Sequence, residues 1–315
     1  MNSADQHIKA IVHPEVRWQR FLSPRYWLMW LLFGLLRASI YLPFNWLMRI
    51  GEWLGLLMYK VVPSRQRIAS INLTLCFPEL SPSEHDKRLS ASARHTGRAV
   101  FETALAWWAG NDKLQPLVKQ ITGIEHVQQA MAENQSVILL SAHMTCLEMG
   151  GRLLSMQVPT AEFVYKKARN PLFDAMMWKR RRLMYSHGYE RKDTRGIIRS
   201  LRAGAPLWYA PDQNFNTEDL VFAPFFGTPA ATLTATAKMA RLGKAIVIPY
   251  LPKRVDGGYA LRFLPALTAF PSGDDLADAT RVNQVVEQAI LEAPEQYMWV
   301  HKRFKNRPPG EPRIY

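Results

Sequence analysis

"VILLSAHMTCLEMGGRLL", from Val137 to Leu154, joins an apolar run to a histidine and then to a segment with helical spacing. A short apolar run of this kind is typical of a buried β-strand, and a following helix is typical of an α/β fold. His143 would then stand at the C-terminal end of the strand, where α/β sheets commonly place ligand sites. The stretch therefore predicts a fold class and a candidate active site together.

Further strand-like runs alternate with helical spacing along the chain. The runs are SVILLSA, AEFVY, PLWYA, KAIVIPYL and YALRFLPAL, and the helical stretches cover residues 144–156, 171–187, 194–203, 229–241 and 275–292. This order predicts an α/β fold with a mostly parallel, mixed sheet flanked by helices, because strands that alternate with helices usually run parallel. We expect one catalytic domain over residues 63–315.

The segment before this domain is apolar and aromatic. It contains YWLMWLLFGLLRASIYLPFNWL and then the amphipathic LMRIGEWLGLLMYKVV. The first stretch is long enough to cross a bilayer, which takes ~20 residues. Against a crossing, Arg37 lies near its middle and Pro43 interrupts a helix. We expect residues 1–25 to form an N-terminal segment and residues 26–62 a hydrophobic membrane anchor, either spanning or interfacial. The alternative is a pair of packed core helices.

Charge and composition restrict the partners. The chain has 315 residues and a formal net charge of +14, which favours polyanionic partners, and its ten tryptophans favour a membrane interface over nucleic acid. No nucleic-acid-reading motif accompanies the charge. The two cysteines predict no disulfide framework, and neither a cysteine-based zinc site nor an H-E-x-x-H pair is present, so we expect no metal.

The His143–Glu148 pair has two interpretations. Residues five apart in one helix point about 140° away from each other, so the side chains meet only if His143 precedes the helix and its ring folds back. Glu148 would then fix the tautomer and leave the other ring nitrogen as a base. The alternative is a structural histidine beside an ordinary helix-start acid. Cys146 between them is either a nucleophile or a packing residue, and its apolar neighbours favour packing.

Two later segments place polar residues after predicted strands. Lys166 and Arg169 follow EFVY in a basic run, which is either a solvated face or a cationic rim that binds phosphate or an oxyanion. Asp212 follows PLWYA in WYAPDQNF, and its carboxylate is either an Asx-turn acceptor or an active-site acid. These residues extend the candidate site beyond the opening stretch.

Taken together, these segments resemble the late (secondary) acyltransferases of lipid A biosynthesis, the lauroyl and myristoyl transferases of Gram-negative bacteria. The similarity covers nearly the whole chain. It rests on SPRYWLMWLL, NLTLCFPELS, SAHMTCLEMGGR, YKKARNPLFD, ERKDTRGIIRSLRAG, WYAPDQNF, APFFGTPAATLT and APEQYMWVHKRFKNRPPGEPRIY. His143 and Glu148 match the H-x4-D/E motif that this family shares with glycerolipid acyltransferases, which implies a fold like theirs.

The resemblance implies an enzyme of the bacterial inner membrane with its catalytic domain facing the cytoplasm. It implies transfer of a fatty acyl group from acyl-acyl carrier protein to the 3-hydroxyl of an acyl chain on a lipid A precursor of the Kdo2-lipid IVA type. The phosphopantetheine thioester is a co-substrate, and no other cofactor is expected. The expected partners are thus acyl carrier protein, the lipid A precursor and inner-membrane lipids.

The resemblance also implies roles for individual residues. His143 is expected to be the base and Glu148 to orient its ring, while substrate or oxyanion binding is expected from Arg169, Asp212, Lys166 and Asn170. Two competing hypotheses remain. One is an acyltransferase whose acceptor is a lysophospholipid or glycerol phosphate, and the other is a non-catalytic membrane protein that binds anionic lipid.

Overall fold

The computed structural model describes residues 16–215 and 219–315. Most of the predicted segment 1–25 therefore lies outside the described residues, which begin with two 3-10 turns, Trp18–Phe21 and Pro24–Tyr26. A helical layer follows, made of α1 (Trp27–Ser39), α2 (Phe44–Val61), α3 (Pro63–Cys76), α4 (Pro82–Trp108) and the short α5 (Asn111–Leu114).

The predicted anchor segment forms two helices, separated at Pro43. α1 ends at Ser39 and α2 begins after Pro43, which has no N–H for a continuous helical ladder. Within residues 16–215 and 219–315, no helix combines the length and the apolar character needed to cross a membrane. The spanning form of the expected anchor in residues 26–62 is corrected accordingly, whereas its interfacial form stays a prediction.

Glycines set the distance between α2 and α4. A Cβ atom built on Gly97 of α4 would overlap the backbone of Gly51 and Gly55 of α2, and one built on Gly55 would overlap the carbonyl of Ala93. The two helix backbones are therefore in direct contact, and α2 is held against the rest of the protein by this crossing.

Gly97→Ala should accordingly destabilise the protein. Overpacking a close contact costs about 1–3 kcal/mol, and here the neighbouring atoms are backbone, which yields less than a side chain. Urea unfolding measures the loss of free energy. Gly34→Ala in α1 is the control, because a Cβ there meets nothing within 4 Å and alanine is the better helix former. Equal stability of the two variants would contradict the described crossing.

The strands of the predicted α/β fold begin at Val118. Its main sheet has seven described strands: β1 (Val118–Thr122), β2 (Ser136–Leu140), β3 (Glu162–Tyr165), β4 (His187–Glu190), β5 (Leu207–Tyr209), β8 (Ala245–Val255) and β9 (Gly258–Phe263), in the order β1-β9-β8-β2-β5-β3-β4. β6 (Leu220–Phe225) and β7 (Thr228–Leu233) form a separate antiparallel pair. Only β8 and β9 are antiparallel in the main sheet, which confirms the mostly parallel prediction.

Helices pack against both faces of this sheet. They are α6 (Ile124–Ala132), α7 (Leu147–Gln157), α8 (Pro171–Arg181), α9 (Thr194–Arg202), α10 (Ala235–Gly243) and α11 (Asp275–Glu292). Every residue of β2 is buried, as expected for a central strand covered on both sides. The prediction of a helix over 229–241 is wrong in its first part, because residues 229–233 belong to β7 and α10 begins only at Ala235.

Candidate active site

The site forms where two neighbouring parallel strands end. The register pairs Leu140 of β2 with Tyr209 of β5, and the Ser141 N–H continues the ladder by donating to the Tyr209 carbonyl at 2.8 Å. His143 and Asp212 each lie three residues beyond this pair. Because both strands run in the same direction, both side chains reach the same edge of the sheet.

Asp212 holds His143 from two sides. One carboxylate oxygen lies 2.6 Å from Nδ1 of the ring, and the other accepts the backbone N–H of His143 at 2.9 Å. The Asp212 side chain has no exposed area, and that of His143 is 19% exposed. Burial by itself would raise the pKa of Asp212, but the adjacent His143 and its hydrogen bonds, with one from Tyr297, lower it to about 2.

This arrangement fixes the tautomer of the histidine. An ionised carboxylate only accepts hydrogen bonds, so the ring proton must be on Nδ1 and the lone pair of the neutral ring on Nε2. Among the residues that the structure describes, none hydrogen-bonds Nε2, and His143 lines a cavity of about 220 Å³. His143 therefore lines the cavity with one ring nitrogen that has no described protein partner, which is the geometry that general-base chemistry requires.

The predicted role of Glu148 is corrected. α7 begins at Leu147, so His143 does precede the helix as the geometry required, but the Glu148 carboxylate is bound elsewhere. It accepts from Trp107 Nε1 at 2.7 Å and from Arg181 Nε at 3.0 Å, and Nη2 of Arg181 binds its second oxygen. Glu148 thus holds Arg181. The His143 ring is held by Asp212 instead, because β2 and β5 are neighbouring strands of the sheet.

The cavity beside His143 combines cationic and apolar walls. The cations are Lys166, Arg181 and Arg191, which follow or pack against β3 and β4, the next strands along the same sheet edge. A second cavity, of about 330 Å³, shares Val164, Arg191, Tyr209 and Phe215 with the first. Its wall is largely apolar, with Ile197, Ile198, Leu233, Met239 and Leu242. The two cavities therefore adjoin, and the second, largely apolar one is called the apolar extension of the site.

The other residues predicted for the site lie in different environments. Lys166 and Arg169 are both exposed, but only Lys166 lines the His143 cavity. Asn170 caps α8, since its side-chain oxygen accepts the N–H groups of Leu172 and Phe173 at 3.0 and 3.1 Å. Cys146 is buried, and burial raises the pKa of its thiol to about 12, so it packs as a small apolar residue as the sequence favoured.

Three residues at the site were not predicted from the sequence: Arg181, Arg191 and Tyr297. Arg181 belongs to the basic run KRRR. The sequence does not show which of these side chains points inward, because that depends on how α8 packs. Tyr297, which hydrogen-bonds Asp212, lies in the C-terminal segment PEQYMW. Across residues 16–215 and 219–315, no group of His, Cys, Asp or Glu side chains has the arrangement of a metal site.

The buried charge of Asp212 should make the fold sensitive to acid. A carboxyl whose pKa is lowered on folding stabilises the protein above its unfolded pKa and loses that effect as the pH falls through its folded pKa. Between the ordinary value of 3.8 and about 2, the contribution of Asp212 amounts to about 2 kcal/mol. Urea unfolding of wild type and Asp212→Asn should show their difference in stability shrinking as the pH falls through this window. A pH-independent difference would contradict the assignment.

Comparison with known proteins identifies the family. Residues 15–306 match the family model described as bacterial lipid A biosynthesis acyltransferase. The chain is 39% identical over 298 residues to the lipid A biosynthesis lauroyltransferase of Escherichia coli K12, covering 93% of this chain and 96% of that protein. It is 33% identical to the E. coli K12 lipid A biosynthesis palmitoleoyltransferase (96% and 99% covered) and 34% identical to a Haemophilus influenzae lipid A biosynthesis acyltransferase (94% and 96% covered). The chain belongs to the bacterial lipid A biosynthesis acyltransferase family and is an acyltransferase.

Proposed function

We propose that this acyltransferase moves a fatty acyl group from acyl-acyl carrier protein to the 3-hydroxyl of an acyl chain on a lipid A precursor. The observation that carries the proposal is the His143–Asp212 pair, whose free ring nitrogen faces a cavity with cationic walls. The names of the relatives, which include a lauroyl- and a palmitoleoyltransferase, support a fatty acyl group as the unit transferred.

In the proposed reaction, His143 Nε2 takes the proton from the acceptor hydroxyl while Asp212 stabilises the imidazolium that forms. The hydroxyl oxygen attacks the thioester carbonyl carbon and gives a tetrahedral oxyanion. The C–S bond then breaks, the ester remains on the acceptor, and the phosphopantetheine thiolate leaves and takes up the proton from His143. No covalent acyl-enzyme is required, which agrees with the burial of Cys146.

Positive charge near the base would stabilise the oxyanion or bind substrate phosphates. We assign this role to Arg181 and Lys166, which line the cavity, in place of the exposed Arg169. Glu148 contributes by holding the guanidinium of Arg181 through two nitrogens, a bidentate geometry that fixes its orientation. The apolar extension of the site suits a hydrocarbon chain of the donor or the acceptor.

We also propose that the protein is held at the bacterial inner membrane with its catalytic domain facing the cytoplasm. Large apolar side chains are exposed together on α1 and α2, and on α2 they recur with helical spacing at Trp46, Ile50, Trp53 and Leu57. A contiguous exposed apolar stripe with tryptophans suits a membrane interface. In co-sedimentation with anionic vesicles, Trp53→Glu should release the protein; undiminished binding would count against this surface.

The function is tested with purified protein, acyl-acyl carrier protein and a tetra-acylated lipid A precursor. Mass spectrometry should show a product heavier by one acyl group. Parallel reactions with a lysophospholipid and with glycerol phosphate determine the acceptor class, and preference for either would overturn the proposal. Lipid binding without any acyl transfer would instead support the non-catalytic hypothesis.

A further inference from the structure

A buried polar cluster lies behind the His143 loop and takes no part in the proposed reaction. Its centre is Arg254 of β8, whose Nε donates to Glu102 of α4 at 2.5 Å and whose Nη2 binds the second oxygen of that carboxylate. Tyr259 also donates to Glu102, at 2.7 Å. The side chains of Arg254 and Glu102 are only 5% and 1% exposed.

Stability alone is a weak explanation for this pair. Removing two charges from water costs about as much free energy as their mutual attraction recovers. An apolar pair of the same volume therefore often stabilises a fold equally well. The hydrogen bonds that the cluster sends outward indicate a more specific role.

The cluster reaches the catalytic loop through Thr145. Arg254 Nη1 donates to the Thr145 hydroxyl at 2.6 Å, and that hydroxyl donates to the Gln296 carbonyl at 2.9 Å. The Thr145 N–H donates to the same carbonyl at 2.6 Å. The Gln296 side chain in turn brackets the Arg254 backbone, accepting from its N–H at 2.8 Å and donating to its carbonyl at 3.1 Å.

The same segment holds His143. Met298 N–H donates to the His143 carbonyl at 3.1 Å, Met144 forms an isolated bridge with Tyr297, and the Tyr297 side chain hydrogen-bonds Asp212. Residues 143–145 lie between β2 and α7 and belong to neither element. Their position depends on Asp212, which binds His143, on Gln296–Met298, and on the contact from Arg254 to Thr145.

His95 completes the surroundings of Arg254. Its Nδ1 faces Arg254 Nη1 at 3.1 Å, and burial together with the neighbouring cation lowers the pKa of His95 to about 3. The ring is neutral at physiological pH and accepts from the guanidinium. The Arg254 guanidinium is thus held by Glu102, His95 and Thr145. Its position is therefore fixed, and its contact to Thr145 restrains the loop.

We propose that Glu102 and Arg254 are positioning residues for His143, and that they act through the Thr145 hydroxyl. The inference rests on the proposed function, since it assumes that His143 is the base. A loop released by loss of this contact keeps its substrate cavity but places Nε2 inaccurately, and errors of about 1 Å in a reacting group can cost roughly 10²-fold in rate.

The test replaces the hydroxyl and leaves the ion pair in place. Thr145→Val and Thr145→Ala remove it, Thr145→Ser keeps it, and Thr280→Val is a matched control, because the Thr280 hydroxyl bonds only within α11. We expect Val and Ala to lower kcat per folded molecule at least ~10-fold with KM values within about twofold. The kcat of Thr145→Ser should stay within about threefold of the wild-type value, and the kcat of the Thr280→Val control should equal the wild-type value.

A second measurement reports on the loop directly. The NMR signal of the His143 Nδ1 proton, identified by its absence in His143→Ala, should shift or broaden in Thr145→Val and Thr145→Ala and remain in Thr145→Ser. Wild-type kcat in the folded Val and Ala variants, or failure of both to fold while Ser folds, would overturn the proposal. If the wild-type protein transfers no acyl group, the proposed function is refuted. The positioning role is then tested only by the His143 Nδ1 proton signal.

Discussion

Replacing His143 by alanine should lower kcat for acyl transfer by roughly 10³-fold, within the range that a positioned general base contributes. The hydroxyl of the acceptor is a poor nucleophile until it loses its proton, and Nε2 of His143 is the base assigned to it. KM values should change little, because the cations that line the cavity, Lys166, Arg181 and Arg191, are untouched. Initial rates with acyl-acyl carrier protein and the lipid A precursor measure both constants.

His126→Ala provides the matched control for this variant. His126 lies on α6 and does not line the His143 cavity, so its loss should leave kcat unchanged. Circular dichroism and thermal unfolding establish that both variants fold. A folded His143→Ala protein that retains more than about a tenth of wild-type kcat would remove the basis for general-base catalysis here.

Asp212→Asn should lower kcat almost as far, by roughly 10³-fold, although the histidine remains. The wild-type carboxylate accepts from both Nδ1 and the backbone N–H of His143, and an amide has only one oxygen for these two donors. If that oxygen accepts the backbone N–H, the amide NH2 faces Nδ1 and donates to it. The neutral ring must then carry its proton on Nε2, where it can no longer act as a base.

The double variant tests whether the two residues act as a unit. Adding Asp212→Asn to His143→Ala should lower kcat by less than about threefold, because the function of Asp212 is carried by a ring that is already absent. Multiplied losses in the double variant would mean that Asp212 contributes independently of His143, which the geometry contradicts.

The fold could be predicted largely from local patterns. The apolar runs at β2, β3, β5, β8 and β9 and the helices α4 and α11 are visible in the sequence, and the capping residues Ser81 and Glu84 mark the start of α4. The N-terminal helices were harder because α2 carries large apolar side chains on its exposed face as well as on its buried face. Leu47 and Tyr59 pack inward while Trp46 and Trp53 point outward, and hydropathy does not distinguish these two faces.

The partner of His143 could not be predicted, because it depends on strand order. Glu148 is five residues from His143 and Asp212 is 69 residues away, yet β5 is the hydrogen-bonded neighbour of β2. The H-x4-D/E resemblance implied the nearer carboxylate. The same limit applies to the cations, since the orientation of α8 buries Arg181 beside Glu148 while Arg169 remains exposed in the preceding loop.

The identity of the carboxylate that holds the ring can be measured directly by NMR of protein labelled with 15N-histidine. In wild type, the His143 Nδ1 proton should appear far downfield, as expected for a short hydrogen bond to an ionised carboxylate. We predict that this signal persists in Glu148→Gln, where the contacts to Arg181 and Trp107 change but those of His143 do not, and that it moves upfield or vanishes in Asp212→Asn. A signal that is lost in Glu148→Gln and retained in Asp212→Asn would contradict the His143–Asp212 pair.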